Sequence, residues 1–256
     1  MTQRSLKFLW LIFLSSFLLL GSMKGAADAF WKFGKDKQSP RVIVVLVDMS
    51  GSTNRARRTI YNEAFEKIYQ NLNQGDRLVV GTITSRSFIE FKPVVDEEIP
   101  KESIWVNRIQ FEQSLAKAQK NIRKEVNRLL SRKKGTPYTE ILNSLNIADT
   151  IFHSEKRQKV LVILSDMIQD SKQYKFEHAK VTNKYINDII RYRQKQKLVP
   201  NLADVKVYVA GASAADSRKF RSIEKFWARY FAATGADFSS HRYGHSLLEF
   251  EKEKGS

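Results

Sequence analysis

Four strand-like segments constrain the fold of this chain more than any other feature of its sequence, and the first of them, Arg41–Val47, is a continuous run of apolar, mostly β-branched residues. Such a run is typical of a strand buried on both faces, because a strand with one face in solvent would alternate apolar and polar residues. Segments with helical periodicity lie between most of these strands. The alternation of strands and helices predicts an α/β fold with a Rossmann-like, open, mostly parallel sheet and helices on both faces. The four strand-like segments are Arg41–Val47, Arg77–Thr84, Lys159–Leu164 and Asp204–Ala210.

Other segments predict the remaining strands and helices. Ser87–Val95 alternates in polarity and contains Pro93, which suits an antiparallel edge strand. Ala236–Ser240 is predicted to form a last short strand. Helices are predicted over Ser52–Asn73, from Leu115 to near Gly135, and over Glu140–Phe152, Ser171–Leu198, Ser217–Thr234 and His245–Lys252.

The amino-terminal 29 residues predict export. Arg4 and Lys7 precede the apolar run Phe8–Leu20, and the small residues Ala27 and Ala29 follow it, as in a cleaved signal peptide. A retained anchor is the alternative, although the run is shorter than the roughly 20 residues of a spanning helix. We therefore expect a periplasmic or secreted protein with a signal segment at 1–29, a polar lead-in at 30–40, one domain at 41–250 and a tail at 251–256.

The chain is strongly basic and contains no cysteine. Its 44 Lys and Arg against 27 Asp and Glu give a net charge of +17, which attracts polyanions and anionic surfaces. The absence of cysteine excludes disulfides and thiolate metal sites.

Oxygen-bearing side chains follow the first and third buried runs. Asp48, Ser50 and Ser52 come directly after the first run, and Asp166 comes after Lys159–Leu164. Thr136 lies in a loop that opens a helix. If the two strands are neighbours, these groups meet at the carboxyl edge of the sheet, where α/β proteins bind ligands. Carboxylates and hydroxyls are ligands for a hard divalent cation.

The pattern Asp48-x-Ser50-x-Ser52, with Thr136 after a glycine and Asp166 at a strand end, resembles the metal-ion-dependent adhesion site of von Willebrand factor A domains. The resemblance covers about residues 40–250 and implies a Rossmann-like fold, a divalent cation and metal-mediated binding to acidic groups of a partner protein. Mg²⁺ is the expected ion, with Mn²⁺ and Ca²⁺ as alternatives. Thr139 competes with Thr136 for the threonine position.

Other interpretations of Asp48 and of the polar residues are weaker. Helix capping would explain Asp48 but not the repeated spacing, and a haloacid-dehalogenase-like phosphotransferase needs an aspartate where Ser50 stands. No phosphate-binding loop or catalytic triad is found, so we expect a binding protein rather than an enzyme, with no small-molecule cofactor. His241 and His245 are predicted to be surface or strand-end residues, and the aromatic residues of Ser217–Thr234 to be core.

A basic helix supports a second hypothesis about function. Its cations either form a solvated face or bind a polyanion or an anionic membrane surface, in which case the metal site is structural or vestigial. Ser171–Leu198 is also basic. Neither segment has the spaced aromatic residues of a base-stacking surface, so nucleic acid is not an expected partner. The candidate binding residues are Lys117, Lys120, Arg123, Lys124, Arg128 and Arg132.

Overall fold

A six-stranded sheet forms the centre of the domain, with strand order β3-β2-β1-β4-β5-β6. All neighbouring strands pair in parallel except β2 and β3. The computed structural model describes residues 39–50, 55–84, 91–103, 105–132, 135 and 137–250, so the predicted signal segment and tail lie outside it. The strands are β1 Arg41–Asp48, β2 Arg77–Ile83, β3 Val95–Glu98, β4 Gln158–Leu164, β5 Val205–Ala210 and β6 Tyr243–Gly244. The predicted fold class is confirmed.

Strand β1 lies at the point where the strand order reverses. It pairs with β2 on one side, up to Asp48 opposite Ile83, and with β4 on the other, up to Val47 opposite Leu164. The connection from β1 leads to β2, whereas the later strands β4 and β5 add on the opposite side. A crevice forms at the carboxyl ends of strands at such a reversal, and Asp48 stands at its edge.

Helices cover the sheet and enclose its apolar side chains. The helices are α1 Arg55–Gln70, α2 Arg108–Leu130, α3 Ile141–His153, α4 Asn183–Lys195 and α5 Ser217–Thr234. Residues of α3, α4 and α5 share a core cluster with Val42, Val44 and Leu46 of β1. Helix α1 contacts β5 and α2, and α2 contacts β3. Ser39–Ser256 forms a compact unit, with a hydrophobic core of its own.

The aromatic residues of α5 are core residues, as predicted. Phe226, Trp227, Tyr230 and Phe231 are fully buried, and their rings contact one another edge-on or stacked. The Trp227 indole also donates a 2.8 Å hydrogen bond to the carbonyl of Met167, in the segment that follows β4. The helix therefore packs against the sheet and supports a loop at its carboxyl edge.

A buried ion pair anchors the amino ends of the strands. Arg41 and Asp76 are 1% and 0% exposed. The Arg41 backbone N–H donates to Asp76 Oδ1 at 2.8 Å, and its guanidinium donates to Oδ1 at 3.4 Å and to Oδ2 at 3.2 Å. Asp76 also accepts the backbone N–H of Asn73 at 2.9 Å. The pair thus joins β1 to the turn before β2.

The predicted edge strand is antiparallel but starts later than expected. Within Ser87–Val95, residues 87–90 are not described and 91–94 are irregular, and β3 begins only at Val95. Its acidic residues favour this register because Arg77 donates to both oxygens of Asp96 at 2.8 Å. Arg157 likewise donates to Glu98 at 2.8 Å. Long-range ion pairs, which local alternation cannot reveal, place the strand.

The predicted helix Ser171–Leu198 is wrong in its first half, because only Asn183–Lys195 is helical. The Ser171 hydroxyl accepts the backbone N–H groups of Gln173 and Tyr174, which stabilises a turn instead. Phe176 then inserts into the core. Helix α2, in contrast, starts earlier than expected, at Arg108, where the side chain of Asn107 caps the N–H of Ile109.

The last predicted elements are also corrected. In Ala236–Ser240 only Asp237 makes an isolated bridge to the sheet, and the last strand is β6, after a 3-10 turn at Ser240–Arg242. Residues 245–250 are not helical, because the His245 carbonyl accepts the N–H of Gly211 at 3.0 Å and holds the segment beside β5. Across the described ranges, no helix combines the length and apolarity needed to cross a membrane.

Candidate metal centre

Asp48 is a fully buried carboxylate at the end of β1. Its Oδ1 accepts the backbone N–H of Ser50 at 2.9 Å, and its Oδ2 accepts the hydroxyl of Ser165 at 2.8 Å. Burial raises the pKa of Asp48, while these hydrogen bonds act in the opposite direction. The hydrogen bonds fix the carboxylate in one orientation beside Ser50.

Asp166 lies two residues beyond β4, beside Asp48. Its Oδ1 accepts the N–H of Ile168 at 2.9 Å, and its Oδ2 lies 2.8 Å from Arg57 Nη1. Burial first, and then the charge of Asp48, raise the pKa of Asp166 from 3.8 to about 6, although Arg57 lowers it. The two carboxylates therefore repel each other, and a shared divalent cation would relieve that repulsion.

The backbone after Asp166 adopts a conformation that is rare for a bulky residue. Met167 has a φ of 65°, in the left-handed region, which costs about 1–3 kcal/mol outside glycine. Its N–H donates to the Ser165 hydroxyl at 3.0 Å, and its carbonyl accepts the Trp227 indole. These contacts maintain the turn that directs Asp166 toward the crevice.

A cleft of about 420 Å³ opens over the carboxyl ends of β1 and β4. Thr139 donates its backbone N–H to the Asp170 carbonyl at 2.8 Å, which joins the loop before α3 to the segment after β4. Arg57 contributes a cation to the wall, and its Nη2 donates to the Ser213 hydroxyl at 3.4 Å. The polar lining residues are Ser50, Arg57, Thr139, Asp166, Asp170, Glu177 and Ser213.

The predicted site residues that the structure describes lie close together. Asp48, Ser50 and Asp166 meet at the reversal point of the sheet, as expected for neighbouring strands. Ser52 and Thr136 lie outside the described residues, while Thr139 is buried and lines the cleft. No group of three or more His, Asp or Glu suited to a metal occurs in the described ranges, and the predicted ligand set contains only two carboxylates.

The sequence did not point to Arg57, Ser165 or Ser213. Ser165 directly precedes Asp166 at a strand end, a position that could have suggested a role in the site. Arg57 and Ser213 carry no comparable signal, because their approach to Asp166 depends on how α1 and the segment after β5 pack on the sheet. Arg57 in particular places a cation against a predicted metal ligand.

The strand order, the single antiparallel strand and the D-x-S motif facing a second aspartate from the adjacent strand occur together. The domain has the fold of a von Willebrand factor A domain. No protein-family model matches the chain, and no curated protein matches it either.

Solved structures with a similar fold include three proteins of low sequence identity. The pilus adhesin SpaC from Lactobacillus rhamnosus GG is 14% identical, with a TM-score of 0.45 over 81% of this chain and 28% of the adhesin. The manganese-loaded TRAP protein of Plasmodium vivax is 13% identical, with a TM-score of 0.43 over 72% and 62%. A von Willebrand factor type A protein from Catenulispora acidiphila is 15% identical, with a TM-score of 0.37 over 77% and 43%. The chain thus spans less than two thirds of each.

The predicted basic binding residues of the domain lie in different environments. On α2, Lys117, Lys120 and Lys124 are exposed, whereas Arg123 pairs with Glu66 at 3.0 Å and Arg128 with Glu125 at 2.7 Å. Arg132 is exposed just beyond the helix.

Arg193, which the sequence placed in a second basic surface, is 3% exposed and is a structural residue. Its guanidinium donates to the Tyr230 hydroxyl and to two backbone carbonyls. His241 and His245 are exposed and follow or flank the last strand, as predicted.

Proposed function

We propose that the domain binds a protein partner through a divalent cation held at the carboxyl ends of β1 and β4. The observation that carries this proposal is the convergence of two buried, mutually repelling carboxylates: Asp166, which lines an open cleft together with Ser50, and Asp48, which is fully buried beside it. The described residues that line the cleft include no histidine, and the Ser165 hydroxyl that contacts Asp48 is fully buried and does not line the cleft, so we propose binding rather than catalysis.

The donor set suits a hard cation. Asp48, Ser50 and Asp166 would hold the ion, and Thr139, which also lines the cleft, offers a further hydroxyl. Mg²⁺ and Mn²⁺ prefer such oxygen ligands and retain open positions when few carboxylates bind them. When bound, the ion supplies a positive centre that accepts an acidic group of the partner.

The rim of the cleft restricts which acidic partner fits. Asp170 and Glu177 add two carboxylates to the wall, and like charges brought together disfavour binding. A partner carboxylate flanked by Lys or Arg would satisfy both the ion and the rim, whereas an all-acidic segment would be repelled. We therefore expect an acidic residue with a basic neighbour.

Thermal melting of the unit Ser39–Ser256 with EDTA, Mg²⁺, Mn²⁺ or Ca²⁺ tests the proposal. An ion at about 100 times its dissociation constant adds roughly 2.7 kcal/mol, or roughly 5–10 °C for a domain of this size. Asp48→Ala removes the central ligand and should abolish the shift, whereas Asp188→Ala on the exposed surface of α4 should keep it. A wild-type protein that no ion stabilises would contradict the proposal.

Binding of synthetic peptides tests the partner chemistry. A peptide with one glutamate between arginines should bind in the presence of the stabilising ion and be released by EDTA. A peptide in which glutamates replace the arginines should bind more weakly. Equal binding of both, or binding that survives EDTA, would contradict the role of the ion and of the rim.

A further inference from the structure

An apolar tip at the start of α2 and a basic stripe along the outward side of that helix remain uncovered within the described structure. The tip consists of Trp105, Val106 and Ile109, which are 88%, 42% and 63% exposed. Three large apolar residues so close together and so exposed are unusual on a soluble surface and indicate an interaction site. Neither the proposed metal cleft nor the core makes use of them.

The basic stripe continues the tip along the same helical face. Ile109, Gln113, Ala116, Lys120 and Lys124 follow a spacing of three or four residues, which aligns side chains on one face. Lys117 lies beside them. All are exposed, whereas the opposite face, with Phe111, Leu115, Ala118 and Ile122, is buried.

Among the residues that the structure describes, no acidic side chain forms an ion pair with a lysine of this stripe. The acidic residues of α2 are Glu112 and Glu125, and they pair with Arg108 and Arg128 at 2.9 and 2.7 Å on the flanks of the helix. The outward face therefore combines an apolar end with uncompensated lysines. A tryptophan and aliphatic residues that insert at the headgroup level, beside lysines that attract anionic lipids, form a typical membrane-interface surface.

The tip lies at the end of the domain where the chain enters the sheet. Residues after β3 run beside the turn that precedes β2, because Ile99 donates to the Asp76 carbonyl at 2.8 Å and Glu102 to the Gln74 side chain at 2.9 Å. Arg41, the first residue of β1, pairs with the same Asp76. Strand β1 therefore begins at the same end of the sheet as the segment that leads to the tip.

We propose that the apolar tip and the basic stripe of α2 bind the surface of an anionic lipid bilayer. The tip inserts at the headgroup level, and the lysines contact anionic headgroups. The metal cleft, at the opposite ends of the strands, remains open to a partner. This surface is separate from the metal site, so the proposal stands or fails independently of metal binding.

Co-sedimentation of the unit Ser39–Ser256 with vesicles tests the proposal. The unit should bind vesicles of phosphatidylglycerol and phosphatidylcholine in EDTA, bind pure phosphatidylcholine weakly, and lose binding as salt rises. The double variant Trp105→Ser/Ile109→Ser should reduce partitioning by about ten-fold or more. Leu248→Ser, at another exposed apolar position (76% exposed), is the matched control and should bind like wild type.

The lysines are tested separately from the tip. Lys120→Gln/Lys124→Gln should weaken binding to anionic vesicles by roughly 25-fold. Arg191→Gln/Lys195→Gln removes the same charge from exposed positions of α4 and should have a much smaller effect. Melting temperatures close to wild type would show that the variants fold.

Three results would overturn the proposal. The first is no binding of the wild-type unit to anionic vesicles at low salt. The second is binding of the tip variant that equals wild-type binding. Charge alone would then explain the binding, and a soluble polyanion would be indicated as the partner. The third is an equal loss in the two paired-charge variants, which would indicate attraction to the whole basic surface rather than docking through α2.

Discussion

Arg57 Nη1 lies 2.8 Å from Asp166 Oδ2, so a side-chain cation contacts a carboxylate that is expected to hold a metal. The Arg57 side chain is 17% exposed and the Asp166 side chain 6%, which limits screening of this pair by solvent. A divalent cation that binds Asp166 must therefore displace the Arg57 guanidinium or share the Asp166 carboxylate with it. We therefore expect the pair to weaken the affinity of the cleft for a cation.

Replacing Arg57 should strengthen metal binding. In Arg57→Gln the competing cation is gone and the repulsion between Asp48 and Asp166 is greater, so we expect the metal dissociation constant to fall by about ten-fold, equivalent to about 1.4 kcal/mol. Isothermal titration with Mg²⁺ and Mn²⁺ measures this. Arg55→Gln removes the same charge from an exposed position of α1 and should change the constant little. Weaker binding in Arg57→Gln would show that Arg57 supports the ion instead.

The pH dependence of stability should reverse when metal is added. The pKa of Asp166 is raised to about 6 in the folded state, against about 3.9 unfolded. Its ionisation therefore destabilises the metal-free fold by roughly 2–3 kcal/mol at pH 7, and this loss disappears as the pH falls below about 4. The raised pKa of Asp48 acts in the same direction.

A bound metal needs ionised ligands, so the gain in melting temperature from Mg²⁺ should shrink as the pH falls through 6. Melting curves from pH 4 to 8, with EDTA or Mg²⁺, measure both trends. Asp166→Asn should flatten the two profiles. Other groups that face Asp166 also contribute to the pH dependence of stability, and Asp166→Asn separates its titration from theirs. These groups are Asp48, Arg57, Tyr61 and Tyr243, which interact with it by charge, and Asp170 and Glu177 on the cleft wall. An unchanged metal effect at pH 4.5 would contradict coordination by Asp166.

Trp227→Phe should weaken metal binding as well as stability. The substitution removes the donor to the Met167 carbonyl, and a buried acceptor left unpaired costs about 1–3 kcal/mol. The strained turn at Met167 then loses one of its two supports, so Asp166 is held less firmly. Phe231→Leu is a suitable control, because Phe231 packs on the Trp227 ring. Urea unfolding should show that both variants lose stability, and titration that only Trp227→Phe loses metal affinity.

The buried pair of Arg41 and Asp76 should contribute far more to stability than the exposed pair of Arg77 and Asp96. Asp76→Ala leaves the Arg41 guanidinium buried without its carboxylate, which costs about 3–5 kcal/mol. Asp96→Ala removes a partner that is 41% exposed and should cost about 1 kcal/mol or less. Denaturant unfolding measures both. Similar losses of stability in the two variants would mean that burial does not determine how much these ion pairs contribute to stability.

The positions of the site residues could be predicted from the sequence where the ends of strands determine them. The continuous run before Asp48 and the run before Asp166 fix where β1 and β4 end, and parallel pairing brings those ends together. Arg57 could not be predicted, because its contact depends on the rotation of α1 against the sheet. The position of β3 depends on Arg77 and Arg157, which lie far from it in sequence. Arg193 looked like a surface cation because helical charge patterns do not show burial.

The placement of Asp48 at the end of β1 has a mechanical consequence. A partner bound above Asp48 and the chain before Ser39 would pull on opposite ends of the same central strand. Strand β1 pairs in parallel with β2 and β4 over seven residues on each side, so the load would shear both hydrogen-bond ladders together rather than open them one bond at a time. We expect single-molecule pulling between these two points to need a higher unfolding force than pulling across the edge strand β3.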